Sequence, residues 1–243
     1  MSDIVIREVA PNVWTFSRPF ILYKVLPIGG RSTAIRLESG AVWILASTPL
    51  TDETKQKLAE LGDVEYIVAG NSFHNLYLKP YKEAYPSAKL IGPEDLTKKK
   101  DFAGLSLDIA FSESNPAPKL GFEGEIESCY FSGYANKDIA YYHKASKTVI
   151  AADLLFNMPA TEQFSKTSQW PKKTILFAGM KPMGWQMPWF IWAKQVNKAA
   201  MAAEAKKVYS WDFDRMIPCH GNVVETGAQA AWKSAWDSYL RDN

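Results

Sequence analysis

The chain has 243 residues, 47% of them hydrophobic, enough to bury a sizeable core in one large α/β domain or two small ones. Its 28 basic and 26 acidic side chains leave a net charge of only +2, so composition gives no electrostatic footprint for nucleic acid. Two cysteines, Cys129 and Cys219, stand far apart and outside any CxxC arrangement, which excludes a disulfide scaffold and a structural zinc ribbon and leaves both as small buried residues.

The first residues, MSDIVIREV, carry no basic region followed by an apolar run. The expectation is a protein without a cleaved secretory leader, hence cytoplasmic. Apolar residues alternate at Ile4, Ile6 and Val9 up to a turn at Pro11 and Asn12, and residues 13–16, 33–37 and 41–45 continue as short strands. Thr51 or Asp52 caps a predicted helix over residues 53–61, with apolar positions at Leu58 and Leu61. A strand over 64–69, a helix over 76–84 stopped by Tyr85 and Pro86, and a strand over 88–91 follow, the alternation expected of α/β layers. The basic run at 98–100 reads as solvated surface.

Strands return at 126–131, 139–143 and 148–151, the last running into 152–157. Residues 158–188 form an expected loop rich in Met, Trp and Pro. Within it begins the most apolar stretch, 174–193, interrupted by Lys181, Pro182, Gly184 and Pro188, so it predicts a flap, a buried loop or an oligomer contact instead of a transmembrane helix. Residues 192–209 are helix-forming through Ala, Lys and Glu, 214–218 are a last strand, and 227–241 are an amphipathic helix with Trp232 and Trp236. No repeat or low-complexity linker divides the chain. The simplest organisation is one domain over 1–243, helices outside, with an aromatic and Met-rich loop or flap at about 158–192.

Three predicted strand ends carry potential metal ligands: His74 in AGNSFH, Asp153 in AADLLF and His220 in IPCHG. Open α/β folds collect functional groups beyond strand ends. Two imidazoles and a carboxylate make a facial ligand set that holds a divalent ion with positions left open. Such an ion lowers the pKa of a bound water and polarises a carbonyl or phosphoryl group, the chemistry of hydrolysis. Taken singly, each residue also has a plain reading as a hydrogen-bonded histidine, a turn-forming aspartate or a strand-to-helix turn. Cys219 beside His220 raises the possibility of a thiolate nucleophile, countered because adjacent residues on an extended chain point to opposite sides. His143 reads as a strand or surface residue.

Together these segments resemble the metallo-β-lactamase superfamily over nearly the whole chain, in particular a branch catalogued only as a domain of unknown function. REVAPNVWTF resembles its first strands, AADLLF its GDLLF, and IPCHG its PGHG. The resemblance implies a four-layer αββα sandwich with the site at one edge between the sheets. Where active members read H-x-H-x-D-H, the spacing to Pro86 sets His74 on the last histidine and Ala69, Asn71 and Phe73 on the first two histidines and the aspartate. No histidine stands in residues 131–136, where a GH[ST] turn is usual. The bridging aspartate corresponds to Asp153 and the final histidine to His220.

The resemblance thus implies that the first of two metal sites is abolished and the second reduced to His74, Asp153 and His220, with Asp153 and His220 as catalytic residues. Phe73 removes a negative charge and brings bulk to the rim. Asn71 is suited to holding a water or a substrate oxygen, or to capping a helix near Asn75. With Asn71 and Phe73, Trp185 and Trp189 are candidate substrate-binding residues, against the alternative that the aromatic segment packs on the core or on a second subunit. Three readings stay open. One is a metallo-hydrolase-like protein with a single zinc, iron or manganese ion, acting on a small ester, lactone or related substrate. The second is a metal-free, non-catalytic descendant binding an apolar ligand or a protein partner; the third is a metal-free enzyme using the same cleft. The expected partner is a small molecule, with no nucleic acid and no membrane span, and homo-oligomerisation stays open.

Overall fold

A computed structural model describes residues 3–167 and 179–241. The chain starts with β1 (Val5–Ala10) and β2 (Val13–Arg18), which pair antiparallel around a turn where Asn12 adopts φ 65°. A short hairpin, β3 (Ile21–Leu22) and β4 (Leu26–Pro27), stands apart from the main sheets, with Tyr23 and Lys24 at positive φ in its turn. Then come β5 (Gly30–Arg36), β6 (Val42–Leu45), α1 (Asp52–Leu61), β7 (Val64–Val68), α2 (Leu78–Ala84), β8 (Lys89–Pro93) and β9 (Ile109–Phe111). The second half contributes β10 (Ile126–Tyr130), β11 (Ile139–His143), β12 (Thr148–Ala151), α3 (Gln186–Ala193), α4 (Lys198–Tyr209), β13 (Arg215–Pro218) and α5 (Ala228–Leu240).

Among the described residues, seven strands form one sheet in the order β1-β2-β5-β6-β7-β8-β9 and four form another in the order β10-β11-β12-β13. The first is antiparallel up to β6 and parallel from there to β9, because α1, α2 and, between β8 and β9, a crossover at residues 94–108 with two short 3-10 turns return the chain to the same end of the sheet. In the second, β12 and β13 pair in parallel. All four residues of β6 are buried. Trp43 and Leu45 pack toward the second sheet, while Val42 and Ile44 pack under the helices, as the two-residue period of a strand requires.

Three apolar layers follow from this alternation. One lies between the sheets, where the Trp43 and Tyr141 rings meet at 5.0 Å and 70°. A second joins the first sheet to Leu58 of α1 and Leu78 and Tyr81 of α2. The third joins the second sheet to α3, α4 and α5 around Phe131, Trp232 and Trp236. The result is the four-layer αββα sandwich. Thr51 caps α1, its hydroxyl accepting from Thr54 N.

Two predicted segments differ. The helix predicted over 192–209 is two helices, because Asn197 is extended and its side chain accepts from Ala200 N, starting α4 afresh. The long loop predicted to 188 ends earlier, with α3 taking Pro188 into its first turn, where a missing N–H costs nothing. The rest of that predicted flap, residues 168–178 with Trp170, lies outside the described residues. No helix among the described residues is long and apolar enough to cross a membrane.

Trp236 stacks on Trp232 at 4.9 Å, packs 5.2 Å from Phe131, and donates from Nε1 to the Leu154 carbonyl at 3.2 Å. Trp236→Ala is expected to lower unfolding free energy by about 3–5 kcal/mol in denaturant titration. A loss below about 1 kcal/mol would show that this layer is not the tightly packed core described.

Candidate metal centre

Each of the three strand-end segments is held in place by a local constraint. After β7, Gly70 runs so close to the exit of β12 that an added Cβ would meet the Ala152 Cβ at 2.8 Å. Asn71 then folds its carboxamide back, its Oδ1 accepting from the backbone N of Phe73 at 2.8 Å and of His74 at 3.0 Å, and this turn presents His74. Beyond β13, Gly221 adopts φ 82° and lies so near residue 157 that a Cβ would sit 2.4 Å from the Asn157 carbonyl.

The loop bearing His220 is gripped from beneath by Arg31 of β5. Its fully buried guanidinium donates from Nη1 to the Pro218 carbonyl at 2.8 Å and the Gly221 carbonyl at 2.7 Å, one on each side of His220. The same group reaches Ser17 Oγ through Nε and Glu162 through Nη2, so its charge is compensated. Burial lowers the Arg31 pKa, against the opposing pull of Glu162. Arg31 is therefore a positioning residue.

His74 Nε2 and His220 Nε2 each lie 3.5 Å from Asp153 Oδ1, and the two rings are 5.1 Å apart. One ligand atom from each of the three residues falls within 4.8 Å of the other two. His220 Nδ1 donates to the Gly29 carbonyl at 2.6 Å, which in the neutral ring leaves a lone pair on Nε2, and His74 Nδ1 bonds Ser47 Oγ at 2.6 Å. A separation of 3.5 Å is too long for a hydrogen bond. It matches the roughly 3.3–3.6 Å between neighbouring ligands set about 2.0–2.2 Å from a tetrahedral ion. The donor set fits a divalent cation.

The other oxygen of Asp153 is fully engaged. Oδ2 accepts from Asn71 Nδ2 at 2.7 Å and from Asn136 Nδ2 at 2.8 Å. Asp138 stands behind this pair, accepting from the Asp153 backbone N at 2.8 Å and from Asn71 Nδ2 at 3.0 Å. Burial disfavours the Asp153 carboxylate, but His74, His220 and the Asn71 amide outweigh it and hold its pKa below the usual carboxylate range. Burial and the charge of Asp153 push Asp138 far above that range. Burial opposes the His74 imidazolium, yet Cys219 and Asp153 raise it overall, whereas for His220 burial prevails and lowers its pKa to about 4.

The triad lines a cavity of about 750 Å³. Its other walls are mostly apolar, built from Leu22 and Leu26 of the hairpin, Phe156, Met158, Met180 and Phe190. Trp185 and Trp189 stand at its mouth, 77% and 64% exposed, and Phe73 lies at the rim with Lys99 Nζ 4.1 Å over its ring. Asn71 is completely buried and outside the cavity lining, so its amide serves Asp153 and the His74 turn instead of meeting a ligand directly. Cys219 is buried and likewise off the lining. His143 is a buried strand residue of β11 bonded to Ser146 Oγ. Sequence reasoning missed Ser47, Asn136, Asp138 and Arg31. Asn136 and Asp138 had a signal, two polar residues just before a strand and within or beside the stretch lacking a histidine; the Arg31 contacts had none.

Residues 10–187 match the model of a family described as Domain of unknown function (DUF4336). No curated protein matches the chain. Among solved structures, the fold is similar to a metallo-β-lactamase from Hirschia baltica, with TM-score 0.61 and 10% identity over 100% of both chains. It is similar to the metallo-β-lactamase FIM-1 from Pseudomonas aeruginosa in a mono-zinc form, with TM-score 0.60 and 9% identity over 99% of this chain and 98% of that one. The Flv1 flavodiiron core from Synechocystis sp. PCC6803 gives TM-score 0.67 and 14% identity, covering 98% of this chain and 61% of that longer one. These likenesses show the metallo-β-lactamase-like α/β sandwich.

Arg31→Met leaves two buried carbonyls without a donor and Glu162 without its nearest buried cation. The expected loss is about 3–5 kcal/mol of unfolding free energy by chemical denaturation. A stability within about 0.5 kcal/mol of the parent protein would contradict the role assigned to this clamp.

Proposed function

The chain belongs to the DUF4336 family, described as a domain of unknown function, and we propose from its own site that it is a hydrolase dependent on a single divalent cation. The observation carrying this reading is the division of labour in Asp153. Oδ1 faces two imidazole Nε2 atoms at 3.5 Å, while Oδ2 is occupied by two carboxamides where a second cation would need it. His74, Asp153 and His220 would hold the ion, zinc, iron or manganese, and when bound it supplies Lewis acidity toward a carbonyl and acidifies water.

The protein's own groups do the rest. The apolar cavity takes the body of a small ester, lactone or related substrate and excludes bulk water around the reacting carbonyl. Asp153 and His220 form the catalytic edge. Asp153 Oδ1 and His220 Nε2 would hold the ion facing the cavity, and the Asn71 and Asn136 amides keep that carboxylate ionised and fixed. Ser47 and the Gly29 carbonyl fix the two rings so that their Nε2 atoms face the same point. Trp185, Trp189 and Phe73 at the mouth select substrates with an apolar end.

A second reading, a metal-free protein that binds an apolar ligand without turning it over, is favoured by the preponderance of apolar side chains in the cavity and by Phe73 in place of a carboxylate ligand.

Elemental analysis of protein purified without chelators separates the two. The expected result is close to one zinc, iron or manganese per chain, lost together in His74→Ala, Asp153→Ala and His220→Ala, with hydrolysis of acyl-chain p-nitrophenyl esters or lactones lost in parallel. Removing the ion with a chelator should abolish turnover, and adding it back should restore it. Metal absent from the parent protein after incubation with each ion, together with tight binding of an apolar fluorophore, would overturn the hydrolase reading in favour of the second.

Asn71→Ala tests the carboxylate support separately. It removes one donor to Asp153 and the turn that presents His74, so metal affinity should fall roughly tenfold to a hundredfold. Unchanged affinity by isothermal titration would contradict the role given to the amide.

A further inference from the structure

The mouth of the cavity is ringed by side chains that a soluble surface rarely carries together. Trp185, Trp189 and Trp192 are 77%, 64% and 62% exposed and recur at the spacing of one helical face along α3. The opposite face of α3 buries Met187 and Ile191 in the core. A helix that is apolar on both faces is ordinarily covered on both. Across the mouth, the hairpin exposes Tyr23 at 81% and Val25 at 48%, and the turn after β7 exposes Phe73 at 58% and Leu76 at 56%. Tyr23, Phe73, Leu76, Trp185 and Trp189 all line the same cavity, so these segments form one surface.

The charges described around α3 and the hairpin turn are basic. Residues 179–203 contain three lysines, Lys181, Lys194 and Lys198, and no Asp or Glu, and the hairpin turn adds Lys24, in a chain whose net charge is only +2. Lys24 is exposed in the hairpin turn, Lys181 and Lys198 are exposed around α3, Lys194 lines the cavity, and Lys99 caps the Phe73 ring. Among the described residues that line the cavity, Asp153 is the only carboxylate.

We propose that this aromatic and lysine-bearing rim docks the protein on the surface of an anionic lipid bilayer, with the cavity mouth facing the lipid. Trp and Tyr partition to the level of the headgroups, the apolar face of α3 enters the acyl boundary, and the lysines pair with anionic headgroups. Two copies of the chain meeting through this rim would set Lys181, Lys194 and Lys198 of one against those of the other. An acidic protein would answer the charge but not three tryptophans protruding along one helix face. The docking is independent of the metal reading.

Flotation of the full-length protein with phosphatidylcholine vesicles, with and without phosphatidylglycerol, tests the proposal. The protein should float with the anionic vesicles at low salt, far less with neutral ones, and progressively less as salt rises. Lys181→Glu with Lys194→Glu, and separately Trp189→Ala with Trp192→Ala, should each weaken flotation roughly tenfold or more while the circular dichroism melt stays that of the parent. No flotation of the parent protein at low salt would overturn the proposal. So would equal flotation of parent and folded variants, or a solution mass showing a dimer that the tryptophan variants dissociate, which assigns the rim to a second copy.

Discussion

The two oxygens of one buried carboxylate face opposite demands, and the rest of the site is arranged around that fact. Asp153 cannot be buried as an anion without compensation, and the chain compensates it in two different ways. On one side two neutral carboxamides, Asn71 and Asn136, donate to Oδ2. On the other, two imidazoles stand at ligand spacing from Oδ1, too far to satisfy it as hydrogen bonds. Amide donors supply a partial charge that is fixed in place, whereas the imidazole side stays open to a cation. Two amides, Asn71 and Asn136, thus hold the side of the carboxylate that faces away from the imidazoles.

That arrangement needs three separate chain segments to converge within a few ångströms, and each is constrained by something other than the ligands themselves. Arg31 ties the two carbonyls flanking His220, Gly221 lets the chain pass Asn157, and Gly70 lets the first segment lie against Ala152. Asp138, buried behind Asp153 and pushed toward its neutral form, fixes the backbone at that residue. The sandwich beneath supplies the rigid edge on which these loops sit, with β7, β12 and β13 each ending there. The exposed aromatic rim at the mouth of the cavity departs from the usual partition of apolar residues.

Much of the sandwich was legible in the sequence because strand and helix periods differ and each buried face repeats its own period. The strands leading to His74, Asp153 and His220 were found from apolar runs followed by polar residues, and the resemblance linked them into one site. Elements too short to show a period, such as the hairpin at Ile21–Leu22 and Leu26–Pro27 and the strand at Ile109–Phe111, were not. The single cap at Asn197 divided a stretch whose composition read as one helix. Within the site, Arg31 was invisible because its partners are backbone carbonyls 187 and 190 residues away. Asn71 was legible as a polar residue at the site but not as a buried one, since its role depends on Asp138 and Asp153 approaching it from the second sheet.

The central claim, that Asp153 offers one cation-facing oxygen and one amide-held oxygen, is tested most directly by crystals grown with zinc and examined by anomalous scattering. A single peak bounded by His74 Nε2, His220 Nε2 and Asp153 Oδ1 is the predicted result, with Asn71 and Asn136 still bonded to Oδ2. Two peaks astride Asp153, or a peak on the Oδ2 side with the amides displaced, would contradict it.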